Sequence, residues 1–210
     1  MPYNVRKRSN KVYRMIKALL FDVDGVLANG GSFGKHLARD YGITQEMLSP
    51  FFKENFYACL VGNADLKEEL AEYLHRWGWQ KSADDFLHYW FTHEHTVDEP
   101  LVAAVQQLRQ QGIPCYLATN QEKYRTAYIL EHMGFASTFD GIFSSAHIGY
   151  AKPDPAFFAY ILNQLKDFRA HEILFWDDSP THVAAARQAG LQADVYTDFA
   201  DFEQKMKSYL

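Results

Sequence analysis

From Pro100 onward, short apolar runs alternate with helical stretches, and this alternation constrains the fold more than any other feature of the chain. Leu101, Val105 and Leu108 share one face of a predicted helix over Pro100–Gln111, which Gly112 stops. Cys115–Ala118 then reads as a strand, Glu122–Met133 as a helix and Gly141–Phe143 as a weak strand. Asp154 caps a helix that has Pro155 in its first turn and runs to about Leu165. Ile173–Trp176 is a strand, Thr181–Ala189 a helix and Asp194–Tyr196 a final strand. Before all of these, the apolar run Ala18–Val23 reads as a buried strand feeding a turn at Gly25. Strands separated by helices require a parallel sheet covered on both faces. The expected fold is therefore α/β, a Rossmann-like three-layer core.

The stretch 29–99 breaks the alternation. It offers no strand but four helical segments, Phe33–Tyr41, Gln45–Tyr57, Leu66–Trp77 and Asp84–His93. Leu70, Tyr73, Leu74 and Trp77 fall on one helical face. A structureless loop of that length is improbable in a compact domain, so a folded helical cap is expected over 29–99. Residues 18–28 and 100–210 would form the core, and 1–17 a basic N-terminal arm. The many aromatics of 51–91 are expected to build the interior of the cap.

Composition narrows the partners. With 48% hydrophobic and 16% aromatic residues among 210, the chain has ample material for a core. A formal net charge of −5 disfavours a large nucleic-acid surface, and no apolar run approaches the roughly 20 residues of a membrane span. Cys59 and Cys115 make no thiolate zinc site or disulfide framework, as expected of a reducing compartment. The basic start followed by Ala18–Phe21 stops short of a secretory signal core, and a cytoplasmic location is expected. The chain would act as a monomer or homodimer.

The strand ends carry the chemistry. Asp22 and Asp24 bracket Val23, and side chains two apart in extended chain project to the same side. Carboxylates held together raise one another's pKa unless a cation relieves them, and a hard divalent ion with oxygen ligands does so. Thr119 and Asn120 follow the second strand, Lys152 precedes the Asp154 helix, and Asp177 and Asp178 end the fourth strand. In open parallel sheets, ligands bind outside the carboxyl ends of the strands. Apolar strands ending in Asp-x-Asp and Asp-Asp are hard to explain by folding alone.

In order, these residues closely resemble the motifs of haloacid dehalogenase (HAD) superfamily phosphatases. Phe21-Asp22-Val23-Asp24-Gly25-Val26-Leu27 is similar to the first motif and Ala118-Thr119-Asn120 to the second. Lys152-Pro153-Asp154-Pro155 is similar to the third, and Phe175-Trp176-Asp177-Asp178-Ser179-Pro180 to the fourth. The helical insertion resembles the class-one cap, and the Asp-Asp pattern resembles small sugar-phosphate phosphatases and the epoxide hydrolase phosphatase domain. The resemblance implies a Mg2+-dependent phosphatase that hydrolyses a small phosphorylated metabolite through an aspartyl-phosphate intermediate. Asp22 would then be the nucleophile and Asp24 the general acid and base, its carbonyl also touching the metal. Thr119 and the Asn120 amide would hold phosphoryl oxygens, with Lys152 balancing charge. Asp178 is the preferred acidic metal ligand, with Asp177 ligating or orienting. A phosphomutase on the same fold, a dehalogenase and a non-catalytic phospho-ligand module are the alternatives; an acid at Asp24 argues against the dehalogenase. Relatives commonly carry asparagine where this chain has His182, which is read here as a helix-terminal surface residue. Asn29–His36 lacks the full phosphate-loop pattern and is read as a hinge to the cap, while His93-Glu94-His95 lacks zinc spacing and is read as a polar cap or hinge segment.

Overall fold

A computed structural model describes residues 16–31 and 33–209. Apart from Ile16 and Lys17, the expected basic arm lies outside the described residues. Five strands, β1 (Ala18–Phe21), β2 (Cys115–Thr119), β3 (Gly141–Ser144), β4 (Ile173–Asp177) and β5 (Gln192–Val195), form one sheet in the order β3-β2-β1-β4-β5. Every pairing is parallel, as the alternation requires. The helices are α1 (Phe33–Tyr41), α2 (Gln45–Glu54), α3 (Phe56–Leu60), α4 (Leu66–Arg76), α5 (Ala83–His93), α6 (Glu99–Gln110), α7 (Lys123–His132), α8 (Phe135–Thr138), α9 (Ser145–Ile148), α10 (Pro155–Gln164), α11 (Pro180–Gln188) and α12 (Phe199–Met206).

The period-two alternation of the strands divides the core between two faces. Leu19 and Phe21 of β1, with Leu117, Leu174 and Trp176, point toward α6, α7, α8 and α12. Ala18 and Leu20, with Ala118, Ile173, Phe175 and Ala193, point toward α10 and α11. These two apolar clusters are the seams of a three-layer α/β sandwich, with β1 at its centre.

Helices α1 to α5 fill the stretch between β1 and α6 without a strand. Their aromatic side chains turn inward. Phe33 stacks on Trp90 at 4.9 Å between ring centroids, while Phe51 meets Tyr73 edge-on at 5.2 Å and Trp79 meets Phe86 at 5.3 Å. Tyr41 and Tyr57 are exceptions, at 41% and 60% exposed. The chain enters and leaves this insertion side by side. Ala28 and Val97 form an antiparallel bridge, and Asn29 N donates to Thr96 O at 2.8 Å. Gly30 is necessary there, since a Cβ on it would fall 2.7 Å from the Glu94 backbone.

Several elements differ from expectation, the short helices α8 and α9 among them. The helix expected over Gln45–Tyr57 divides at Asn55, whose amide donates to Glu69 at 2.7 Å and accepts from the Tyr73 hydroxyl at 2.9 Å. That tertiary claim on the side chain outweighs local propensity. The first strand stops at Phe21, because the Val23 carbonyl turns to accept from the amides of Val26, Leu27 and Ala28. The last strand begins at Gln192, where pairing with Leu174 decides its register. Helix α12 was not expected, although Phe199, Phe202 and Met206 after an Asp198 cap carry its period. Among the described residues, no helix is long and apolar enough to cross a membrane.

Candidate active site

The carboxyl ends of β1, β2 and β4 meet at one rim of the sheet. Asp22 extends the β1–β4 ladder by one bond, its N–H donating to Trp176 O at 2.9 Å. Its Oδ1 accepts from the Val23 amide at 2.8 Å, so the carboxyl is fixed by the turn that ends the strand. Thr119 closes β2 with its Oγ1 buried and without a hydrogen-bond partner among the described residues. A buried unpaired hydroxyl is costly, and its retention marks a place for a polar ligand atom.

Lys152 arrives between Asp22 and Asp177. Its backbone is clamped by Asn120, whose Nδ2 donates to Lys152 O at 2.9 Å and whose Oδ1 accepts from Lys152 N at 2.8 Å. Its ammonium lies 2.9 Å from Asp22 Oδ2 and 2.6 Å from Asp177 Oδ2. Asp177 also accepts from the Ser179 amide at 2.8 Å and lies 3.0 Å from His182 Nδ1. His182 is therefore not the surface residue expected from the sequence. It sits in the first turn of α11, where its ring reaches back to the strand-end carboxylate.

These contacts separate the acids electrostatically. Burial pushes the Asp22 carboxyl up to about 7, despite the opposing pull of Lys152. Burial would raise Asp177 as well, but His182 and Lys152 hold it well below the usual carboxylate range. Burial and the neighbouring Asp177 raise Asp178. Its carboxyl packs against the turn after β1: a Cβ on Gly25 would fall 2.3 Å from Asp178 Oδ2, and Gly25 has a φ of +78°.

Asp24 points away from this buried group, with its side chain 56% exposed. Gln121 Nε2 donates to its Oδ2 at 2.6 Å, and Arg125 Nη2 lies 3.8 Å from its Oδ1. Motif reading overlooked both residues, although each lies within a helical turn or so of Asn120. Glu94, at the insertion's exit, accepts from Trp90 Nε1 at 2.8 Å, and burial pushes its carboxyl up to about 7.

The donor set fits a hard divalent cation. Asp22, Asp177 and Asp178 stand against the one ammonium of Lys152, which Asp22 and Asp177 already share. Burial still raises Asp22, and burial with the neighbouring Asp177 raises Asp178. Unmatched oxygen ligands of this kind are what magnesium takes. Ligand atoms of Asp22, Asp177 and His182 also lie within 4.8 Å of one another, but the last two are already bonded together.

A fold with a parallel β3-β2-β1-β4-β5 sheet, a helical insertion after β1 and acids at the strand ends defines a class of hydrolases. The chain belongs to that family: the model of haloacid dehalogenase-like hydrolases matches residues 16–190. A phosphoglycolate phosphatase of Pectobacterium atrosepticum is 31% identical over 193 residues, covering 85% of this chain and 79% of its own length. A sesquiterpene phosphatase of Aspergillus oryzae is 34% identical over 101 residues, which are 48% of this chain and 51% of that one. In fold, the chain is similar to a HAD-family enzyme of Bacteroides thetaiotaomicron solved as a magnesium complex. That likeness has a TM-score of 0.79 at 18% identity, covering 91% of this chain and 98% of the other.

Proposed function

We propose that this protein is a Mg2+-dependent phosphomonoesterase that hydrolyses a small phosphorylated metabolite through a phosphoaspartate on Asp22. The observation that carries the reading is the Lys152 ammonium between Asp22 and Asp177, together with the buried Thr119 hydroxyl, which has no hydrogen-bond partner among the described residues. Phosphoryl transfer asks a protein mainly for positioning and charge neutralisation, and the rim offers both. Related phosphatases in the same family support the reaction class.

In this reading Thr119 Oγ1 and the Asn120 amide hold two phosphoryl oxygens, while Lys152 offsets the charge of the attacking carboxylate. At 4 Å, two like unit charges repel by about 4 kcal/mol at an effective dielectric of 20, so attack by Asp22 requires that offset. When bound, Mg2+ would supply further charge neutralisation; Asp22, Asp178 and the Asp24 carbonyl would hold it, with Asp177 holding Lys152 in place. An Asp22 oxygen bonds to phosphorus as the ester oxygen departs with a proton from Asp24. Asp24, now ionised, takes a proton from water, which attacks phosphorus and releases phosphate and free Asp22. Residues 29–99 would act as the cap, screening the site and selecting the leaving group.

Phosphate release from a panel of phosphorylated metabolites tests the reading. Activity should vanish on chelation with EDTA and return with Mg2+. Full activity in rigorously metal-stripped protein would contradict the metal requirement, and isomer formation without phosphate release would assign a phosphomutase instead.

A further inference from the structure

Arg125 lies on α7, 3% exposed, although a buried guanidinium needs both its charge and its N–H groups answered. Nη1 donates to Phe91 O at 3.1 Å and Nη2 to Glu94 O at 3.0 Å, two carbonyls at the end of α5. Cations are favoured at a helix C-terminus, so this anchoring is sound electrostatics. The rings of Phe91 and Tyr128 each lie 5.4 Å from the guanidinium carbon and confine it further. Nη2 also stands 3.8 Å from Asp24 Oδ1, while Gln121 holds Oδ2 at 2.6 Å. The two oxygens of Asp24 thus face two residues of one core segment, and one of these is tied to the insertion. A contact of 3.8 Å to a half-exposed carboxylate adds little stability, so its consequence is orientation.

We propose that Arg125 is a positioning residue which, with Gln121, aligns the Asp24 carboxyl for proton transfer and couples that alignment to the seating of the helical insertion. The inference rests on the reading of Asp24 as the general acid. With the insertion seated, the Phe91 and Glu94 carbonyls fix the guanidinium and Asp24 is held from both sides. With the insertion lifted, Arg125 loses both anchors and Asp24 keeps only Gln121. Proton transfer is then aligned only when the site is covered, which protects the phosphoaspartate step from bulk solvent.

The test compares an alkyl phosphate, a poor leaving group, with 2,4-dinitrophenyl phosphate, a good one. Arg125→Met and Arg125→Lys are measured alone and combined with Asp24→Asn. Arg125→Met should lower kcat/KM, which reports the steps through departure of the ester oxygen, by about tenfold or more for the alkyl ester, with a smaller loss on the dinitrophenyl ester. In the Asp24→Asn background the same substitution should change kcat/KM by less than about twofold, since no acid remains to be aligned. Arg125→Lys, keeping the charge and one hydrogen bond, should recover part of the loss, and it carries the comparison if Arg125→Met does not fold. Equal losses on both esters, or an undiminished loss in the Asp24→Asn background, would make Arg125 a packing residue and overturn the proposal. If Asp24→Asn lowers kcat/KM for both esters equally, the acid reading itself falls, and this inference with it.

Discussion

At Lys152, one ammonium with a fully buried side chain serves Asp22 at 2.9 Å and Asp177 at 2.6 Å. Removing one partner of a buried ion group leaves uncompensated charge, which costs about 3–5 kcal/mol. Lys152→Met should therefore lower the melting temperature as well as abolish phosphate release. A variant as stable as the parent would show that the carboxylates are not held charged by this residue. Glu94 gives a pH-dependent counterpart. Because its folded pKa is raised to about 7, its contribution to stability is present below the ordinary carboxylate range and is lost as pH rises toward 7. Glu94→Gln retains an acceptor for Trp90, so it should stabilise the protein at pH 8 by on the order of 2 kcal/mol and do little at pH 4. An equal effect at both pH values, read by thermal denaturation, would contradict the burial of its charge. His182 shows where residue-level reading from sequence ends. Its place in the first turn of α11 was legible, but its bond to Asp177 depends on how that helix leaves β4.

Elements explain why the acids converge. Strand β1 ends at Phe21, and the Val23 carbonyl then gathers three amides into a tight turn that presents Asp22 and Asp24 differently. Alternation predicted both on one side of an extended strand; the turn instead buries the first and exposes the second. Gly25 is needed there for two reasons, its φ of +78° and the Asp178 carboxyl in the space of its missing side chain. Gly25→Ala should displace Asp178 and lower the apparent Mg2+ affinity more than it lowers thermal stability. Unchanged metal dependence, measured by titrating activity with Mg2+, would separate Asp178 from the metal. In the insertion, the helices were readable from their apolar spacing, as at Leu70, Tyr73 and Leu74; the caps Asp65 and Ser82 are seen in the structure. The break at Asn55 was not, because Glu69 and Tyr73 reach it from another helix. Phe51 is fully buried among aromatic rings, and Phe51→Ala should cost about 3–5 kcal/mol, read by urea denaturation. A loss below 1 kcal/mol would mean that the insertion is not packed around it.

For the molecule as a whole, the strand–helix alternation after Pro100 was sufficient to give the parallel sheet, and the acids at its strand ends to give the family. What the sequence left open are relations across the chain: the grip of Arg125 on the insertion, the Asn120 clamp on Lys152, and the division of labour between Asp177 and Asp178. Each depends on contacts between residues far apart in sequence, Lys152 with Asp177 and Gly25 with Asp178 among them, where no local period carries a signal. The account turns on Asp22 as the atom donor to phosphorus. Rapid quenching of the parent during turnover of p-nitrophenyl phosphate, followed by peptide mass analysis, should find a phosphoryl group on Asp22. Asp22→Asn, folded as judged by circular dichroism, should show no such adduct and lose turnover by about a thousandfold or more. Comparable turnover by that variant and the parent would contradict the account.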